Sequence, residues 1–231
     1  MLRQGGGMTF RIAPRPRTIH LAGMALDLRA TVALVASTLL LTVGRYRQPF
    51  TGDTPIEVLS GTALENLLLY LVAPLALILF AFGDSPREYG FTLGNWRLGL
   101  KLTLAVSALA LPIVGLAART PDFQAYYEGY QGSWYRLAAA FIVELSGWEF
   151  LFRGFLLFAL LPWMGPTAVV AQAVPFALAH FGKPELETLS TVFGGAVFGW
   201  VAWRTRSYVY PLLIHLAVYS LTVFLAVGGA G

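Results

Sequence analysis

The stretch Phe141-Ile142-Val143-Glu144-Leu145-Ser146-Gly147-Trp148-Glu149-Phe150-Leu151-Phe152-Arg153-Gly154-Phe155-Leu156 decides the fold of this chain. It lies within an apolar run over residues 135–160, long enough to cross roughly 30 Å of hydrocarbon as a helix. Yet it carries two acids and a guanidinium. An ionisable group in a bilayer is costly unless it faces a partner or a polar cavity, so these residues mark a site of function by default. The reading is a protein that does chemistry within a membrane.

Working outward, further apolar runs occupy residues 28–44, 59–83, 99–118, 165–180, 188–203 and 209–229. With 57% hydrophobic and 12% charged residues in 231, the composition is far from that of a soluble domain. The expectation is an all-α polytopic transmembrane helical bundle of about seven spans, six or eight if a short run re-enters or the long one breaks. The runs are continuous and rich in Leu and Ala, without the two-residue alternation of a barrel strand. Residues 1–27 read as a basic cytosolic tail with no cleavable signal, and 28–230 as a single transmembrane helical domain whose motif-bearing core covers about 133–220.

The net charge of +4 reflects basic flanks of membrane helices and implies no nucleic-acid partner. Followed through seven spans, the tail, the segment with Arg87, Arg97 and Lys101, and the turn with Arg204 and Arg206 share one side. That places the N-terminus on the cytoplasmic side, and the localisation expected is integral to a bacterial inner or cell membrane. There is no cysteine, which excludes disulfides, a cysteine nucleophile and cysteine–zinc sites. Tyr126, Tyr127 and Tyr130, just before the motif helix, read either as an interfacial aromatic belt or as the lining of a substrate path. Gly194, Gly195 and Gly199 offer small surfaces for close helix packing.

Glu149 and Arg153 stand four apart, on one face of a helix, where they can compensate one another. Glu144 is rotated from Glu149 by about 140° on an ideal helix and would share its cavity only if the helix bends. Of three histidines, His180 and His215 fall in apolar segments. An acid with two imidazoles suggests water activation, the acid accepting a proton and an imidazole orienting water or stabilising an oxyanion. A satisfied buried ion pair and satisfied core histidines are the structural alternative. Glu149, His180 and His215 are also a set able to hold zinc, but no His-Glu-x-x-His helix accompanies them, and no cofactor is favoured. Glu185 and Glu187, in the polar turn after His180, are second-tier candidates with Glu144: they could gate the mouth of a cavity, and Glu187 could complement a helix dipole.

Three motifs, Trp148-Glu149-Phe-Leu-Phe-Arg153, Phe176-Ala-Leu-Ala-His180 and His215-Leu-Ala-Val-Tyr219, occur in that order. The chain in this respect resembles the CAAX-protease and bacteriocin-processing family of intramembrane proteases, which includes Rce1-like enzymes and abortive-infection relatives. The family patterns are Glu-Glu-x-x-x-Arg, Phe-x-x-x-His and His-x-x-x-Asn/Asp. Trp148 stands where the first glutamate is usual, and Tyr219 where Asn or Asp is. The resemblance implies an intramembrane endopeptidase acting on a membrane-associated protein or peptide, with Glu149, His180 and His215 catalytic and Arg153, Phe176, Trp148 and Tyr219 supporting. A noncatalytic membrane binding or chaperone protein on the same fold is the alternative.

Overall fold

The computed structural model describes residues 17–47, 52–130 and 132–228; the first sixteen residues of the basic N-terminal stretch lie outside them. The remainder of that stretch forms an antiparallel hairpin of β1 (Thr18–Leu21) and β2 (Met24–Asp27). Asp27 then caps helix α1 (Leu28–Tyr46): its carboxylate accepts from the amides of Ala30 and Arg17, both at 2.9 Å.

Among the described residues, everything after the hairpin is helical apart from connections. Helix α2 (Pro55–Leu67) starts with a reciprocal Thr54–Glu57 capping box and a proline in its first turn. It continues through a π-helical turn (Leu68–Val72), α3 (Ala73–Ala76) and a second π segment to Phe82. Helix α4 (Trp96–Ala117), the short α5 (Pro121–Tyr127) and α6 (Trp134–Glu149) follow. From α6 the backbone widens into a π-helix, Phe150–Leu156, before α7 (Leu157–Met164). Then come α8 (Ala168–Ala171), α9 (Ala173–Leu178), α10 (Glu185–Thr205) and α11 (Val209–Gly228).

Among the described residues, five helical stretches are long and apolar enough to cross a membrane: Leu28–Tyr46, Pro55–Phe82, Trp96–Ala117, Trp134–Leu178 and Val209–Gly228. The expected runs at 135–160 and 165–180 fall within one of them, interrupted by the turn at Gly165–Thr167. Helix α10 is not among them: Glu185 and Glu187 in its first turn and Arg204 in its last lower its hydropathy, and its hydroxyl residues and three glycines dilute the rest. The integral-membrane class expected from composition is therefore supported by helix length and hydropathy, while the number of crossings counted this way is lower than expected.

Close approach positions the central helix. Gly147 packs directly on the backbone carbonyl of Asn66, so a β-carbon there would collide with α2. Gly195 lies against Ala173 and Phe176, and Gly199 against Gln172, so these two glycines do seat α9 on α10, while Gly194 faces open space. Gln172 fastens the contact by donating to the carbonyls of Val169 and Gly195, both at 2.8 Å. Every residue of the π segment is buried, and Phe150, Phe155 and Phe158 form the core with Tyr70, Phe82 and Tyr89.

Polar groups gather at the two ends of the bundle. At one end Arg29 forms a bidentate pair with Asp84, which also accepts from Tyr89, and Asn95 donates its amide to the carbonyl of Thr205 at 2.8 Å. At the other, Glu187 accepts from Tyr127 at 2.7 Å and Tyr219 donates to Tyr130 at 3.1 Å.

Candidate active site within the bundle

Glu149 is the last residue of the α-helical part of α6, and Arg153 lies within the π turn that follows. Both side chains are fully excluded from solvent. Arg153 Nη1 donates to Glu149 Oε1 at 3.2 Å, and His215 Nδ1 meets the same oxygen at 2.6 Å. Single π turns recur at functional sites because they re-aim side chains relative to a regular helix. Here the π turn holds the expected Glu149–Arg153 pair.

The pairing leaves several strong polar atoms unused. Glu149 Oε2 and Arg153 Nε and Nη2 are buried with no hydrogen-bond partner in the protein. The guanidinium is held by aromatic faces instead: it lies 3.8 Å from the Phe176 ring centroid and 5.3 Å from that of Phe198. A desolvated cation over a ring is worth about 2 kcal/mol, which offsets part of the cost of burying it.

His180 follows α9, and its Nδ1 lies 2.8 Å from the carbonyl of Phe176. A carbonyl can only accept, so Nδ1 carries the proton and Nε2 of the neutral ring is an acceptor. For His215, an ionised Glu149 likewise makes Nδ1 the donor and leaves Nε2 as the basic nitrogen. Phe176 flanks both imidazoles, with ring centroids 4.5 Å from His180 and 6.1 Å from His215. Phe176 thus neighbours both imidazoles, and it is His215 that bonds directly to Glu149.

Trp148 occupies the wall beside His180, at a centroid distance of 5.9 Å, stacked on Phe152 and edge-on to Tyr70. Tyr219, one turn beyond His215, is buried among Phe141, Tyr127 and Tyr130. Of the tyrosines before α6, Tyr127 and Tyr130 turn inward to meet Tyr219, whereas Tyr126 is exposed. Glu187 binds Tyr127 and Lys183 together, the latter at 2.7 Å, and the Lys183 ammonium stands 5.3 Å from the Tyr219 ring centroid. Burial alone would pull the Lys183 ammonium down, but the Glu187 carboxylate reverses this and holds it above its ordinary value. Burial, reinforced by Glu187, pushes the Tyr127 hydroxyl well above the usual tyrosine range. Glu185 is exposed in the first turn of α10.

Glu144 turns away from both histidines: its Oε1 accepts from Asn66 Nδ2 at 3.4 Å, and its Oε2 has no partner. Among the described residues, no three His, Asp or Glu side chains gather closely enough to hold a metal ion. The Glu149, His180 and His215 set therefore does not fit zinc in this arrangement.

Sequence reasoning passed over Asn66, Glu65 and Phe198. The first two are buried polar residues inside an apolar run, the same signal that singled out Glu149. Phe198 carried no such signal, because an aromatic residue in an apolar helix looks like any other.

Fold and site define a polytopic helical membrane protein with a buried carboxylate–imidazole–guanidinium centre. Residues 130–221 match the family described as type II CAAX prenyl endopeptidase Rce1-like. The match spans less than half of the chain and is consistent with the CAAX-protease and abortive-infection family. No curated protein and no solved structure matches the chain.

Proposed function

We propose that the protein is an intramembrane endopeptidase in which Glu149 and His215 together activate water. The observation that carries this reading is the 2.6 Å contact between His215 Nδ1 and the fully buried Glu149 carboxylate. A carboxylate with no solvent access serves better to orient an imidazole than to meet water itself. Glu149 fixes the tautomer of His215 and stabilises the imidazolium, as the acid does in a Ser-His-Asp triad. Nε2 of His215 takes a proton from water as its oxygen bonds to the peptide carbonyl carbon. The same proton then goes to the amide nitrogen as the C–N bond breaks. His180 Nε2, also an acceptor, orients the attacking water, and Arg153 fixes the position of Glu149. Phe176, Trp148 and Tyr219 form the walls.

The substrate is a membrane-associated protein or peptide, since the site is enclosed by lipid-facing helices. In this reading the chain traverses the bilayer seven times as one domain over 28–230. Its basic tail, 1–27, lies in the cytoplasm with the end bearing Arg87, Arg97, Arg204 and Arg206. Replacing Glu149 by Gln, or His215 by Ala, lowers cleavage by at least 100-fold, on the order of general-base removal. The check is intact-mass profiling of membrane proteins from native-host cells expressing each form at matched abundance. A precursor retaining a terminal segment in the variants is the expected result; identical profiles would sink the assignment.

A second reading is favoured by Trp148. Its indole packs on His180 in the motif position where relatives carry a glutamate, which suits a noncatalytic membrane binding or chaperone protein. Loss of a partner protein in the knockout, restored by Glu149→Gln, would identify that role.

A further inference from the structure

We propose that a second site, built around Glu144, binds an alkyl primary ammonium group. A cavity of about 400 Å³ opens between the start of α2 and the segment from Gly129 to Glu144. This is within the size range of small-molecule sites. Its ionisable lining consists of Asp53, Tyr130 and Glu144; among the described residues, no lysine, arginine or histidine lines it.

Glu144 is poorly satisfied for a carboxylate in an apolar bundle. Its one bond, from Asn66, is 3.4 Å long, and its second oxygen is buried without a partner. A buried polar atom left unpaired costs roughly 1–3 kcal/mol, more when charged. Lys183, whose charge reaches Glu144, is held by Glu187 at 2.7 Å. The last torsion of a glutamate is broad, so either oxygen can turn toward the cavity.

The walls specify the rest of the ligand. Ile56, Leu59 and Leu137 give the cavity apolar sides. Such walls suit a methylene stem, as they do when a lysine buries its chain and keeps its charge among polar groups. The same lining includes the hydroxyl-bearing Tyr130 and Thr62 and a second carboxylate, the exposed Asp53. An ammonium has three donors and no acceptor, matching an acceptor-rich floor. A carboxylate or phosphate would meet Glu144 and Asp53 as like charges. This site requires no proteolysis and stands apart from the Glu149–His215 pair.

The test is calorimetric titration of the full-length protein in detergent micelles with n-butylammonium, n-butanol and Nα-acetyl-lysine amide. Saturable n-butylammonium binding is expected, at least tenfold weaker in Glu144→Gln and unchanged in Glu149→Gln. Thr62→Phe, which fills the cavity while leaving the acid, should also weaken binding tenfold and serves if Glu144→Gln fails to fold. Tighter binding of the lysine amide assigns the ammonium to a peptide side chain, and weaker binding to a free amine. No saturable binding, equal affinity for n-butanol, or undiminished binding by either cavity variant would overturn the proposal.

Discussion

Glu149 and Glu144 sit on one helix, five residues apart, and live in opposite surroundings. Glu149 shares one oxygen between a guanidinium and an imidazole and sees no solvent. Glu144 has a single long bond to an amide and lines an open cavity. The helix between them is regular, so the 140° rotation expected from their spacing is retained. One acid bonds to α11 and the π turn, the other to α2. An intramembrane acid is thus a sign of function without being a sign of which function: its partners decide whether it is locked or available.

The sharpest way to break this comparison is to remove the cation beneath Glu149. Arg153→Met leaves a buried carboxylate whose remaining partner is His215, and breaking a buried ion pair costs about 3–5 kcal/mol. Thermal unfolding in detergent should show a large fall in midpoint; an unchanged midpoint would mean that Glu149 is neutral or hydrated and the contrast is false. A smaller effect is expected at the polar end above the site. Tyr127→Phe removes the hydroxyl donated to Glu187 and should cost about 1 kcal/mol. Protease sensitivity of the segment from Phe181 to Glu187 should rise with it, and equal protection would show that Lys183 alone retains the segment. The smallest effect belongs to Glu144→Gln, expected within about 0.5 kcal/mol of wild type because Glu144 makes no ion pair and Lys183, whose charge reaches it, keeps its pair with Glu187. A loss comparable to that of Arg153→Met would show Glu144 to be locked as tightly as Glu149.

Much of this architecture was legible because hydrocarbon length and helix periodicity are local properties. The run containing Glu149 and Arg153 had to be a helix, and residues four apart had to meet. The glycines at 195 and 199 were readable as contact points for the same reason. Legibility ended at contacts between helices. The spacing of His180 and His215 in the chain carries nothing about which imidazole reaches Glu149, and Tyr127, Tyr130 and Tyr219 converge from separate segments. Asn66 was visible as a polar residue in an apolar run, but its role toward Glu144 depends on Gly147 letting α2 approach.

The sequence by itself determined a largely helical membrane protein, its motif-bearing segment, and the short list of acids, imidazoles and guanidinium available for chemistry. These follow from composition and from periodicities of a few residues. The tertiary structure alone decided that His215 pairs with Glu149 while Trp148 lies beside His180, and that Glu144 serves a different cavity. Such assignments depend on crossing helices and close-packed glycines, which join residues tens of positions apart, and no local pattern encodes them.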